Sequence, residues 1–130
     1  MQESLLEKLR TRVVEQLPVI STQRRFFVIA ATLDKRGRII AIGENYRKTH
    51  PLMDHYSNLL HIPHKQYLHA EVSALISSNN IQPHSIVVVR VDKKGGVCLA
   101  KPCPICERAI ADFKVAKTYY STDEGKLALL

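Results

Sequence analysis

Two short stretches carry residue types able to do chemistry at spacings that bring them together: His69-Ala70-Glu71 and Pro102-Cys103-Pro104-Ile105-Cys106. Taken singly, each is ordinary. One histidine is most often a core or surface residue, and one Cys-x-x-Cys is a redox pair or half of a structural zinc site. Combined, they supply one imidazole and two thiolates, three ligands for a tetrahedral Zn2+ whose fourth position stays open to water. Cysteines three apart lie on one side of a helical turn, and a helix N-terminus favours their thiolate form. A zinc ion held this way lowers the pKa of its water from about 15.7 to about 7. A proton shuttle is then needed beside it. Glu71 follows His69 by two residues, and in the first turn of a helix both side chains can fold over the open end without Glu71 becoming a ligand. A carboxylate there can take the water's proton, protonate a ring nitrogen and assist a leaving amine. That set of groups suits hydrolytic deamination of an amidine-like carbon in a nucleobase.

These two stretches need elements to hold them. Leu5, Leu6, Leu9, Val13, Val14 and Leu17 recur at helical spacing, which predicts an amphipathic opening helix over 4–17 that Pro18 ends. Phe26–Leu33 is rich in aromatic and β-branched residues, 34–38 has turn chemistry, and 39–43 is apolar again; the pattern is that of a hairpin. From 44 to 66 the periodicity fails, apart from a possible short helix over 52–60. Four of the six histidines (His50, His55, His61, His64) fall there, and a connection of that length is usually functional or mobile. Then come a core helix over 68–78, a near-continuous apolar strand over 85–91, a short extended stretch over 97–100, a helix opened by Pro104, and a strand over 115–121. The order predicts an α/β domain with helices packed on a mixed sheet.

Length and composition narrow the function classes. A chain of 130 residues fits one domain, 1–130, with a core needing no disulfide staples. No apolar run approaches the roughly 18 residues of a membrane span, and no basic, then apolar leader opens the chain. Three cysteines are an odd count, which suits a reducing compartment, by default the cytoplasm. Nineteen Lys and Arg against twelve Asp and Glu give +7, a surplus that attracts phosphates on a nucleotide or a strand. Cys98 is read as a small thiol on a strand, since a fourth protein ligand would displace the reactive water. The loop histidines, with no cysteine among them, are read as solvent-facing or phosphate-contacting rather than as a second zinc site.

The His-Ala-Glu and Pro-Cys-x-x-Cys pair is the signature of zinc nucleobase deaminases, and the sequence resembles the cytidine/deoxycytidylate deaminase superfamily over roughly 26–123. The resemblance implies a three-layer fold with a mixed central sheet and helices on both faces. It implies His69, Cys103 and Cys106 as zinc ligands and Glu71 as the proton shuttle. It further implies that the Ala70 backbone hydrogen-bonds a pyrimidine, and that Asn45, in Gly43-x-Asn45, contacts base or sugar unless it only closes its strand. Tyr119-Tyr120-Ser121 resembles the aromatic border of the pocket in polynucleotide cytosine deaminases; strand alternation sends one tyrosine into the core and one outward, and Tyr120 is taken as the substrate contact. Two departures stand out. The 23 residues between Asn45 and His69 exceed the compact members and are closer to deoxycytidylate deaminases. After the last strand only 122–130 remain, little room for the terminal helix and fifth strand of many members, so surface near Phe113, Val115 and 127–130 is expected to be covered by a partner copy, making a homo-oligomer.

The first reading is therefore zinc-dependent deamination of a cytosine nucleoside or nucleotide, deoxycytidylate-like, with Arg47, Lys48 and Lys101 available to a phosphate and no membrane partner. The second is the same chemistry on a base in single-stranded DNA or RNA, including tRNA adenosine; the charge allows it, but stacking platforms are usually aromatic, and this chain has no Trp. A third, a non-catalytic zinc-stabilised nucleotide-binding module, gives Glu71 nothing to do.

Overall fold

The structure, a computed structural model, describes residues 2–20, 26–45, 49–62 and 67–130. Helix α1 (Gln2–Ile20) precedes strands β1 (Phe26–Leu33) and β2 (Ile39–Glu44), helices α2 (Pro51–Leu59) and α3 (Ala70–Ser77), strands β3 (Ser85–Asp92) and β4 (Val97–Cys98), helix α4 (Pro104–Asp112), and strands β5 (Lys117–Ser121) and β6 (Leu127–Leu129). The expected hairpin forms: β1 and β2 pair antiparallel, with a register shift between Thr32 and Leu33. In the sheet the order is β2-β1-β3-β5-β6, with β4 paired to β3. β3 and β5 run parallel, connected through α4, while the other pairs are antiparallel. The sheet is mixed and carries helices on both faces.

Strand alternation sorts the core into two layers. Ile86 and Val88 of β3, with Ala30 of β1, face α3 and α4, where Val72, Leu75, Ile105 and Ala109 meet them. Val87, Val89 and Val91, with Phe27, Ile29 and Ala31, face α1 and take Leu6, Leu9 and Val13. Those three α1 residues lie three and four apart, one stripe of a helix.

Two expectations give way here. α1 does not stop before Pro18; its backbone continues to Ile20. A proline this near a helix end removes only one late hydrogen bond, so the helix can tolerate it. Nor does the chain lack a strand after β5. Three residues suffice for β6, which pairs Tyr119 with Leu129 and Ser121 with Leu127 across the turn at 122–126. Leu127 packs into the α1 layer, and Phe113 and Val115 pack against the α3/α4 layer, so surface expected to need a partner is partly covered by the chain itself.

α3 is drawn tightly onto the hairpin. The space above Gly43 is filled by α3: a Cβ there would collide with the backbone N of Ala74 and the carbonyl of Ala70. At the other end of α3, the buried Thr32 and Ser78 hydroxyls share a 2.6 Å hydrogen bond, and Ser78 Oγ also donates to the Ala74 carbonyl at 2.9 Å. Glycine under one end and a hydroxyl pair at the other set the height of the helix that carries Glu71.

Candidate metal centre

His69 is the N-cap of α3 and Cys103 the N-cap of α4; both are extended, at φ −79°, ψ 154° and φ −73°, ψ 170°, and neither makes a side-chain capping bond. Ser, Thr, Asp or Asn usually stands at this position and satisfies a free amide. Here the two cap side chains turn toward each other instead. Pro104 occupies the first turn of α4, where its missing N–H is no loss, and Cys106 at N3 faces back to Cys103, as N-cap and N3 side chains do in a capping box.

The result is a compact donor set. His69 Nδ1 lies 3.2 Å from Cys106 Sγ and 3.5 Å from Cys103 Sγ. All three ligand atoms lie within 4.8 Å of one another, and among the described residues they form the one such cluster. Tetrahedral zinc with bonds of about 2.3 Å to sulfur and about 2.05 Å to nitrogen sets its N and S ligands about 3.6 Å apart. The cluster therefore fits a zinc ion with small adjustments, with Nδ1 as the histidine donor.

Electrostatics agree with that use. The Cys103 thiol is held down at about 4, first by the hydrogen bond from Cys106 and, against burial, by the His69 imidazole. Its neighbour Cys106 is pushed well up, first by Cys103 and then by burial, so at neutral pH the two sulfurs share one proton that a cation would replace. Contact with Cys103 raises His69. Burial pushes the Glu71 carboxyl up; only 6% of this residue is exposed. A carboxyl raised by burial is a proton donor and acceptor nearer neutrality than a surface one.

Above the cluster opens a cavity of about 390 Å³. His69, Ala70, Glu71 and Cys103 line it, and so does Asn45, just past the end of β2. Asn45 also closes its strand: its Oδ1 accepts from the Val28 amide at 3.2 Å and its own amide donates to the Val28 carbonyl at 3.3 Å. The structural and substrate-facing readings of Asn45 are thus compatible in one residue. Lys101 lines the cavity as well. Tyr120 does not; it packs against the α3/α4 core, and Tyr119 against the α1 core. Because helices cover both faces, alternation puts neither tyrosine simply outward. Arg47, Lys48 and His64 lie outside the described residues. Among the other loop histidines, His50 is the N-cap of α2, its Nδ1 accepting from the Leu52 amide at 3.0 Å, and His55 sets its ring edge-on to Tyr56.

Sequence reasoning missed three contributors. Arg90 lines the cavity, on the same face of β3 as Ile86 and Val88. The signal was available: it is the one cation in the apolar run Ser-Ile-Val-Val-Val-Arg-Val, at even spacing from Ile86. Ser121, fully buried, donates to the Cys98 carbonyl at 2.6 Å and accepts from the Arg90 amide at 3.1 Å. Asp123 accepts from the Leu99 amide at 2.9 Å. Together they pin the segment leading to Cys103. Nothing local in Ser121 or Asp123 announces that role.

From residue 4 to residue 122 the chain matches the family described as the cytidine and deoxycytidylate deaminase zinc-binding region. It belongs to that family, and it is a zinc-dependent deaminase. No curated protein sequence matches it. Among solved structures it is similar to cytidine deaminase from Mycobacterium leprae, with 18% identity, a TM-score of 0.53, and coverage of 95% of this chain and 91% of that one. It is also similar to cytidine deaminase from Mycobacterium tuberculosis, with 21% identity, a TM-score of 0.50, and coverage of 88% and 82%. A single-residue mutant of the latter gives 20%, 0.51, and 88% and 83%. These likenesses establish the fold as that of cytidine deaminases.

Proposed function

We propose that the chain, acting as a single domain, hydrolyses the exocyclic amine of a cytosine nucleoside or nucleotide, with a deoxycytidylate-like monophosphate preferred, to give the uracil form and ammonia. The observation that carries this reading is the buried Glu71 lining the same cavity as His69 and Cys103, with Cys106 completing their donor cluster from behind. When bound by those three residues, zinc supplies a Lewis acid that makes water nucleophilic at neutral pH.

The chain's own groups do the rest. Glu71 accepts the water's proton, delivers one to the ring nitrogen next to the reacting carbon, and passes one to the departing amine, so protons balance over the cycle. Its burial excludes competing solvent from that relay. Ala70, whose residue lines the cavity, offers its backbone to the pyrimidine edge, and Asn45, also on the lining, orients base or sugar. Arg90 and Lys101 put two cations on the cavity lining, which supports a phosphorylated substrate over a neutral one.

The reading includes a cytoplasmic setting, supported by the unbridged Cys103 and Cys106, a close pair that a reducing compartment keeps as thiols. Among the described residues no helix is long and apolar enough to cross a membrane. It also includes self-association, supported by Leu129 and Leu130, 58% and 50% exposed at the edge strand β6.

The test is ammonia release from the zinc-loaded chain offered cytidine, deoxycytidine, their monophosphates and a cytosine-containing oligonucleotide. The monophosphate should react with the highest kcat/KM and a shallow salt dependence, since one phosphate neutralises few counterions. Steeply salt-sensitive turnover of the oligonucleotide beside an inert monophosphate would move the substrate to a strand. No ammonia from any of them would remove the reading.

A further inference from the structure

The far end of the sheet carries two further cavities, neither lined by the zinc donors. Val28 lines the zinc cavity and Leu33, five residues along β1, lines another; at about 3.4 Å per residue this is about 17 Å. The two also use opposite faces: Val28 packs on the α3/α4 side, Leu33 on the α1 side.

Two cavities adjoin there, sharing Asp34, Lys35, Arg36 and His84. The larger, about 470 Å³, is cationic, with Lys35, Arg36 and Arg38 from the hairpin turn on one wall and Lys114 on the other. These walls continue from β1 and lead into β5, which flank β3; two strand spacings put them about 10 Å apart, with His84 between. The smaller, about 260 Å³, is apolar inside, lined by Leu5, Leu33, Val87 and Tyr119, with Lys117 also on its lining. Asp34, the one carboxylate, is already committed: it accepts from the Arg36 and Arg38 amides at 2.9 Å and pairs with the Arg38 guanidinium at 2.8 Å. That leaves Lys35, Arg36, Lys114 and Lys117 with no ion pair among the described residues. Four cations around one junction, from a chain whose whole surplus is seven, form a focused positive field rather than a solubilising scatter.

An apolar cavity beside an aromatic ring, opening onto cations that converge from two walls, is complementary to a ring joined to phosphates. We propose that this junction is a second nucleotide-binding site, with phosphates between Lys35, Arg36 and Lys114 and the ring in the cavity beside Tyr119. The combined size lies within the range of small-molecule sites. The nucleotide is either free or one unit of a single strand, since only an unpaired ring can enter the apolar cavity beside Tyr119.

The test uses the zinc-loaded full chain and three probes by calorimetry: adenosine 5′-triphosphate, inorganic tripolyphosphate, and a twelve-residue oligothymidylate. The adenosine triphosphate should bind at least fivefold tighter than tripolyphosphate, because only it fills the apolar cavity. The double variant Lys35→Glu/Arg36→Glu, on exposed turn residues, should weaken it at least tenfold and leave kcat/KM for cytidine within twofold. An oligonucleotide that binds more tightly than the free nucleotide, and loses that affinity in the double variant, assigns the site to strands; the reverse order assigns it to free nucleotides. Equal affinity for tripolyphosphate and adenosine triphosphate would overturn the ring assignment. Unchanged nucleotide affinity in the double variant, or no binding by any probe, would overturn the site. Failure of cytidine turnover alone would touch only the proposed function.

Discussion

The two faces of the sheet use the same strands and solve different problems. Under α1 the buried cluster is apolar throughout: Leu6, Leu9 and Val13 over Phe27, Ile29, Val89 and Val91. On the other face the core includes Cys106 and abuts the buried Glu71, with Ser73 in α3 and Ser78 at its C-cap also buried. The first face gains its stability mostly from apolar burial, with the buried Ser85 as a polar exception beside Val87. The second accepts the penalty of burying a carboxyl and the Cys106 thiol, and offsets it with hydrogen bonds and with whatever cation the cluster holds. Stability and chemistry are therefore separable by face, and substitutions should divide accordingly.

The largest effect belongs to the chemical face. Replacing Cys103 and Cys106 together by Ala should abolish zinc binding, measured as metal per chain after dialysis, and lower Tm, since a metal that binds only the folded chain adds its binding free energy to folding. A variant that still holds one zinc would break the comparison at its root. Next, Glu71→Gln should keep zinc and fold while turnover falls by about 10²–10⁴-fold, the usual worth of a positioned acid–base group. Close behind, Leu9→Ala on the α1 face should cost about 2–5 kcal/mol in denaturant titration and leave metal content unchanged. Coupled loss of zinc in that variant would mean that the faces are not independent.

A smaller effect sharpens the picture at the edge of the chemical face. The Tyr56 phenol is pushed up to about 12 from 10.0, by burial first and then by Asp112. Its neutral form is favoured by folding, so its contribution is complete below pH 10 and is lost as pH rises from 10 toward 12. Tyr56→Phe should accordingly flatten the fall in stability over that window. An identical alkaline profile would remove Tyr56 from the account.

How much of this was legible beforehand follows from range along the chain. The donor residues and Glu71 sit in motifs of three and five residues, so the relation within each motif is set by one helical turn, whereas the meeting of His69 with Cys103 and Cys106 comes from the packing of α3 beside α4. The strands of β1 and β3 declare themselves by long runs of β-branched residues. Ser121 and Asp123 could not be read, because their partners Cys98, Arg90 and Leu99 lie more than twenty residues away and meet them only through sheet register. β6 has three residues, too few for any periodicity. Gly43 was noticed as part of a motif, yet its reason, the backbone of α3 resting on it, is a tertiary fact.

The paired N-caps have a consequence for how the molecule opens. His69 and Cys103, 34 positions apart, begin their helices without the side-chain bond that ordinarily holds a first turn closed. With metal bound, one ion restrains both starts, so α3 and α4 should unzip as a single cooperative unit rather than fray separately. Amide exchange in their first turns should then respond in step to chelator, while exchange in the middle of β3 follows only global unfolding.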